Sequence, residues 1–422
     1  MENNFDVIIV GGGASGLAAA VEAARAGASV LVLEKNHVPG RKILSTGSGK
    51  CNFSNLEIGP SFYHGAPAAF LKKTFAALPP AAVLAFFDGL GLLRTEGEDG
   101  RFFPRSMKAQ DVVGVLINEL AAGTARVSTL TEVVAIKPGS VFTVEACRVP
   151  PQWDKKSPRG EKLVFTAGKV ILAAGSPCYP QIGGTSAGYA LLRGLGHTVS
   201  PASPALVPLK VREPFVAELD GVRLQAALRV TAGGRTVAQA RGELLFTSYG
   251  LSGPAAINVS RAALAALGEG EVFAEADLFP DTTEGALFRL LSERAARFAD
   301  RPFCHFAAGL HNDKLMKVLA CLAGAQWQAL CGRLEPEALD KFAALLKCLP
   351  MQIKGSTGFE DAMVAAGGCA PGEVNPATFA SKKVKGLYVT GELLDIDGDS
   401  GGYNLHLAWT SGMLAGRDAA KH

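Results

Sequence analysis

Three glycines at fixed spacing, Gly11, Gly13 and Gly16, carry the strongest chemical signal in the chain. Asp6-Val7-Ile8-Ile9-Val10 before them reads as a buried strand, and an Ala-rich helix runs from Leu17 to Ala26 after them. A second strand, Ser29 to Leu33, ends in Glu34. Gly11 permits the tight turn, Gly13 lets backbone approach a pyrophosphate, and Gly16 lets helix and strand pack closely. The helix N-terminus, with Ala14 and Ser15, offers unpaired N–H groups and partial positive charge to phosphates. Glu34, 18 residues past Gly16, is placed to accept from an adenosine ribose, with Lys35 beside it. A carboxylate there repels a 2′-phosphate, so the expected ligand is FAD or NAD rather than NADP. A glycine turn without a ligand competes only while the motif stands alone; here strand, turn, helix, strand and acid fall in register.

Two further segments extend the site. Gly40-Arg41-Lys42, continuing through Gly49 to Asn55, joins small residues that admit close backbone approach to two cations for a pyrophosphate. Near the C-terminus, Thr390-Gly391-Glu392 follows a buried strand, and Gly402-Tyr403-Asn404 opens a long helix. An acid at that place holds a ribityl chain, and the helix N-terminus faces the flavin C2 carbonyl. Glu392 is the first candidate and Asp395 the second. Val134, Ala174 and Gly175 complete the expected cofactor set. Asp395, Asp397 and Asp399 alternate as in a Ca²⁺ loop, but its closing glutamate is replaced by His406. A nicotinamide enzyme needs only the first segment, so three segments together point to FAD. No second glycine fingerprint occurs, so NAD(P)H is expected to act as a transient reductant, bound elsewhere or over the flavin.

The elements that must position these residues are spread through 422 residues, too many for one small core. Hydrophobic residues at 48% and charged residues at 19% fit a well-buried globular enzyme and exclude a disordered chain. The net charge of +3 neither demands nor excludes a polyanionic partner. No apolar run reaches the ~18 residues of a membrane span, so no membrane partner is expected. The N-terminus passes straight into a strand and does not read as a signal peptide. Eight scattered cysteines without a CxxC pair fit a reducing cytoplasm and argue against a zinc site or a redox dithiol, so no metal is expected. Strand-like, Gly-punctuated sequence runs from about residue 201 to 280, and mainly helical sequence from 281 to 354. Residues 1 to 200 and 355 to 422 then form a split Rossmann-like domain. Pro150 to Lys162 is a polar, Pro-broken loop or hairpin tip.

With these motifs in view the chain resembles the BaiN/RdsA family of NAD(P)/FAD-dependent oxidoreductases, the aminoacetone-oxidase-like (YhiN-like) flavoproteins. The likeness runs nearly end to end, through GGGASGLAAA (Gly11 to Ala20), GRKILSTGSGKCNFSN (Gly40 to Asn55), GRFFPRSMKAQDVV (Gly100 to Val113), ILAAGSPCYPQIGGTSAGY (Ile171 to Tyr189), GELLFTSYGLSGPAAINVSR (Gly242 to Arg261) and GLYVTGELLDIDGDSGGYNLHLAWTSGMLAG (Gly386 to Gly416). It implies an α/β fold: a Rossmann-like FAD domain interrupted by a β-barrel-like and helical insertion. The chain departs from the family pattern at Ala174-Gly175-Ser176, where Thr-Gly-Gly is usual, and at Ala187, Ser248, Ala365 or Ala366, and His406. Several of these positions fall where the resemblance places the isoalloxazine face, so they bear on substrate.

The resemblance implies NAD(P)H-dependent reduction of an activated C=C bond, with a uridine of large-subunit rRNA as the leading substrate and a dihydrouridine as product. Alternatives are a small-molecule amine or aminoketone oxidase, an enone reductase, and a non-catalytic FAD-containing binding module. Reduction needs a proton donor. Protic side chains within the matched motifs are Tyr179, Cys178, Cys51, Tyr249, Tyr403 and His406; His406, Cys51 and Tyr179 are the catalytic candidates, and spacing singles out no pair. Basic clusters at Lys155, Lys156, Arg159 and at Lys382, Lys383, Lys385 are compatible with RNA, though such clusters are more often solvated surface. Nothing in the sequence sets the oligomeric state.

Overall fold

The computed structural model describes residues 3–123, 125–151, 153–154 and 160–421. The chain divides into two compact units, Met1–Ser203 with Met363–His422, and Pro204–Ala362.

The first unit is built on parallel strands whose apolar runs are buried on both faces. These are β1 (Asn4–Val10), β2 (Val30–Leu33), β3 (Ala125–Ser128), β6 (Lys162–Leu172) and β7 (Leu387–Val389); β4 (Thr131–Lys137) and β5 (Phe142–Arg148) come between β3 and β6. The parallel order is β3-β2-β1-β6-β7. β6 is long enough to serve two partners on one edge. Its first half, Lys162–Ala167, pairs antiparallel with β5, and Val170–Leu172 pairs parallel with β7. The order reverses between β1 and β6, so their carboxyl ends open the crevice where such sheets take ligands.

Among the described residues, seven helices belong to this unit: α1 (Ala14–Arg25), α2 (Arg41–Ser45), α3 (Ala68–Ala77), α4 (Pro80–Gly89), α5 (Ala109–Ala122), α6 (Ala187–Gly194) and α7 (Tyr403–Ala419). α7 lies directly against α1, and glycines set the spacing. A Cβ on Gly412 would stand 2.1 Å from the Ser15 carbonyl oxygen, and one on Gly416 2.4 Å from that of Ala19. The segment Ala68–Gly89 has the length and hydropathy of a membrane span. It is two ten-residue helices broken at Pro79, and Phe70, Leu71, Val83, Phe86 and Phe87 are buried in the core.

The second unit is a closed six-stranded barrel: Leu209–Val211, Gly250–Ser252, Arg235–Thr247, Arg223–Ala232, Val272–Asp277 and Leu349–Ser356 in spatial order. Strict alternation of buried and exposed residues along Arg223–Val230 is what one lined and one outer barrel face require. Its last strand, Leu349–Ser356, comes after the helices Glu284–Arg297, Asp313–Ala323 and Pro336–Lys347. The expectation of a helical block to residue 354 and a return to the first domain at 355 is corrected here. The helices are inserted between the fifth and sixth strands of the barrel, and the return falls at Met363. Phe303, Phe306 and Phe342 form the aromatic centre of the helical part.

Candidate active site

The crevice lies wholly within the first unit. It runs from Leu33, Glu34 and Val133 at one end, past Gly11–Ser15 and Gly40–Lys42, to Ser176, Cys178, Met363, Glu392 and Leu405 at the other.

The glycine turn divides its labour as its spacing implies. Gly11 has φ +105°, and a Cβ there would meet the Ala173 carbonyl oxygen at 2.4 Å. A Cβ on Gly16 would lie 1.9 Å from the Gly11 carbonyl oxygen, so this residue serves helix–strand contact. Gly13 is the opposite case: nothing lies within 4 Å of where its Cβ would point. Only there does the turn leave backbone bare toward the crevice.

Glu34 is 6% exposed and its carboxylate accepts from the Gly12 N–H (2.7 Å), the Asn36 N–H (2.7 Å) and Asn36 Nδ2 (2.8 Å). It therefore fixes the turn, a structural duty the sequence did not reveal. Lys35 lines the same end, and burial lowers its pKa despite Glu132 and Glu34 nearby. The Gly40 N–H donates to the Gly12 carbonyl (2.8 Å), which ties the second segment to the first and presents Arg41 and Lys42 at the start of α2.

The third segment meets the second across 350 residues. Lys42 Nζ donates to Glu392 at 2.6 Å, and the other carboxylate oxygen accepts from Ser176 Oγ (2.7 Å) and the Ala365 N–H (2.9 Å). Burial alone would lower the Lys42 pKa; Glu392 outweighs it and holds the ammonium charged. Gly402, at φ +98°, begins α7, and Asn404 clamps Gly398 by accepting from its N–H (2.8 Å) and donating to its carbonyl (2.7 Å).

Of the residues expected to bind cofactor, Gly11, Gly13, Ala14, Ser15, Glu34, Lys35, Gly40, Arg41, Lys42, Ala174, Gly175, Gly391, Glu392 and Asn404 line the crevice. Gly16, Gly49, Gly402, Tyr403, Asp395 and Val134 do not. Asp395 instead accepts from the Gly367 N–H (2.9 Å). Tyr403 is stacked on Phe62. Val134 is corrected to Val133: the pairing register shifts there, leaving Val134 in a bulge and 48% exposed, while Val133 lines the crevice.

The catalytic candidates are also corrected. His406 is fully buried on the far side of α7 from Asn404, Leu405 and Ala408. Its Nδ1 meets Ser54 Oγ at 2.8 Å, and burial pulls its pKa down to about 3, leaving a neutral core residue. Cys51 is fully buried off the crevice, and burial pushes its thiol up to about 12. Tyr179 holds a left-handed turn, φ +55°, whose carbonyl accepts from Ile182 and Gly184; its neighbour Cys178 faces the crevice in its place. Sequence reasoning passed over Ser176, Thr131, Met363 and Val364; only Ser176 stood in a motif that flagged it.

Among the described residues, one group could gather a cation: His197, Cys369 and Glu373. Lys383 Nζ stands 2.5 Å from the Glu373 carboxylate, and the Thr198 N–H donates to it at 2.9 Å, so a cation would have to displace both. The basic cluster at Lys155, Lys156 and Arg159 lies outside the described residues. Lys382 and Lys383 are tied to the carbonyls of Gly372 and Gly196.

The description of an HI0933-like protein Rossmann domain matches residues 5–418. A 3-dehydro-bile acid delta(4,6)-reductase of Clostridium scindens is 35% identical over 98% of both chains. A ribosomal RNA dihydrouridine synthase of Escherichia coli is 29% identical, again over 98% of both. A 3-ketosteroid delta1-dehydrogenase of Sterolibacterium denitrificans, solved with 1,4-androstadiene-3,17-dione, shares the fold at a TM-score of 0.50, 14% identity and 99% coverage of both chains. The crevice suits FAD: bare backbone at Gly13 and two cations at Arg41 and Lys42 stand between one carboxylate, Glu34, and a second, Glu392, at the far end. The chain belongs to the HI0933-like family and is an FAD-dependent oxidoreductase with a Rossmann-type domain and a small β-barrel.

Proposed function

We propose that the enzyme reduces a C=C bond conjugated to a carbonyl, with NAD(P)H as reductant and a uridine of large-subunit rRNA as the substrate to test first. The observation that carries this reading is that two relatives alike over 98% of their length are both named for saturating a C=C bond. Bound FAD would accept hydride from the nicotinamide and deliver it to the substrate. The protein's own part is binding, orientation and the proton. Gly11–Ser15, with the N-terminus of α1, would hold the pyrophosphate. Glu34 would hold the ribose, and Glu392 the ribityl chain, kept in place by Lys42, Ser176 and the Ala365 N–H. Ile182, Leu191, Val364, Ile396 and Leu405 give the far end of the crevice apolar walls. Such walls exclude water from the reacting carbon and strengthen the polar contacts that remain.

A small enone is the second reading. It is favoured by Met363, an apolar side chain 43% exposed at the crevice, and by Lys382 and Lys383 being occupied with neighbouring carbonyls. Eight free cysteines support a reducing, cytoplasmic setting. The deciding experiment is mass spectrometry of rRNA nucleosides from a deletion strain, with and without re-expression. Loss and recovery of a dihydrouridine supports the uridine. An unchanged profile, with reduced enzyme reoxidised anaerobically by a steroid-like enone, moves the substrate to small molecules. Failure with both, alongside peroxide release with amines, overturns the reductase reading.

A further inference from the structure

A second cluster of chemistry-bearing side chains stands outside the crevice, where the strands Val199–Ala205 and Val364–Cys369 pair into a two-stranded sheet. His197 comes just before the first strand, Cys369 ends the second, and Glu373 closes the turn that follows. The sequence gives no notice of this group, because His197 lies far upstream of the other two. Folding brings one ligand atom from each within 4.8 Å of the others.

Imidazole, thiolate and carboxylate together suit a zinc-class cation, whereas Mg²⁺ and Ca²⁺ take oxygen ligands. A tetrahedral zinc site holds its ligand atoms about 3.3–3.8 Å apart, so a closure of about 1 Å gathers these three. His197 is 4% exposed and Cys369 fully buried, while the Glu373 side chain, 17% exposed, gives the group a side open to water. Ser381 Oγ meets His197 Nε2 at 2.8 Å and fixes the ring. The other ring nitrogen, Nδ1, is buried without a hydrogen-bond partner among the described residues. A ring oriented through one nitrogen, with the second uncommitted, is how zinc-ligating histidines are held. Positive charge is already drawn to the place. Lys383 Nζ stands 2.5 Å from the Glu373 carboxylate and 2.8 Å from the Gly196 carbonyl oxygen.

We propose that His197, Cys369 and Glu373 bind a divalent cation of the zinc class. The cation takes the Glu373 carboxylate over from the Lys383 ammonium and the Thr198 N–H, and Lys383, 38% exposed, retires to water. The thiol proton leaves to solvent as the sulfur binds, since a coordinated thiol is deprotonated. Water fills the fourth position from the open side of Glu373. The cation braces the crevice from behind. Near one end of the strand Val364–Cys369, Val364 lines the crevice and the Ala365 N–H holds Glu392; at the other end Cys369 would hold the metal. The cation takes no part in hydride chemistry, whatever the substrate.

The test is titration of the FAD-loaded enzyme, first stripped of metal with a chelator, with Zn²⁺ and with Co²⁺. Wild type is expected to bind one equivalent. Co²⁺ should bring up a thiolate-to-metal charge-transfer absorbance in the difference spectrum, and Zn²⁺ should raise the melting temperature. Cys369→Ser loses the charge-transfer band. Glu373→Gln, at a partly exposed position, weakens binding by about 100-fold or more, beyond the loss of an outer partner. Lys383→Met removes the competing ammonium and tightens binding by up to about fivefold, the worth of a partly exposed ion pair. Should Cys369→Ser fail to fold, the opposite effects of Glu373→Gln and Lys383→Met decide. Less than one equivalent bound by wild type overturns the proposal. So does binding that is the same in Glu373→Gln, Lys383→Met and wild type, for the metal is then adventitious and held by other free cysteines.

Discussion

Replacing Gly13 with alanine adds one carbon to the crevice and disturbs nothing else. No atom lies within 4 Å of the new Cβ, and the backbone at φ −83° accepts alanine. Gly13 is the N-cap of α1, where alanine is poorer than glycine by about 0.5–1 kcal/mol. Against that, alanine narrows the unfolded ensemble by about 0.4–1 kcal/mol. The two nearly cancel, so the apoprotein should melt within a few degrees of wild type. FAD should respond differently. The added methyl keeps a pyrophosphate off the turn and removes at least one hydrogen bond to a charged group, about 1.5–3 kcal/mol, or roughly 10- to 150-fold in Kd. Gly16→Ala is the control of opposite sign, since its Cβ would lie 1.9 Å from the Gly11 carbonyl oxygen. It should lower apoprotein stability by about 1–3 kcal/mol or more before any ligand is added. Thermal melting without FAD and quenching of flavin fluorescence on titration read the two effects apart. Unaltered FAD affinity in Gly13→Ala, or an apoprotein less stable than Gly16→Ala, would refute the placement of the phosphates.

Glu392→Gln keeps an acceptor for Ser176 and Ala365 but removes the charge facing Lys42. Burial then meets much weaker opposition, the ammonium's pKa falls, and the pH at which FAD affinity declines should move down; the pair is partly exposed, so its contribution to melting is about 1 kcal/mol. His406 has a folded-state pKa of about 3 against an ordinary 6.5, so the unfolded chain binds the extra proton first. Its stabilising effect is whole above pH 6.5 and is lost toward pH 3, at up to about 1.4 kcal/mol per pH unit. Urea unfolding of His406→Leu should show a flatter acid limb, and an unchanged limb would put the sensitivity elsewhere. Gly412→Val should drive α7 off α1, because the nearest obstacle is the Ser15 carbonyl at 2.1 Å, and both melting temperature and FAD retention should fall together.

The glycine turn and Glu34 were legible because each role is local: a turn, an open side and a contact within one strand–helix unit. The Lys42–Glu392 pair was not, since its partners are 350 residues apart and no periodicity joins them. His406 was misplaced for want of helical phase. Asn404, Leu405 and Ala408 share the crevice face, while Tyr403, His406 and Thr410 recur at the three-to-four spacing of the opposite, core-facing side. Val134 failed because a β-bulge, which alternation does not announce, falls at that residue. The barrel's final strand, Leu349–Ser356, directly follows a helix, and one isolated strand's signal was too little to separate it from that context, although its alternating burial is there.

The split of the first unit also governs the order in which the protein can come into being on the ribosome. Pro204–Ala362 carries a separate hydrophobic core and is synthesised entire before Leu387–Val389. At about 5–20 residues per second, the free edge of β6 and the uncovered flank of α1 wait roughly 10 to 40 s for the strand and helix that complete them. The amino-terminal half is thus a nascent chain with an unpaired parallel edge, a target for chaperones. The crevice that Glu392 and Asn404 help to line is completed only after the barrel unit has been made.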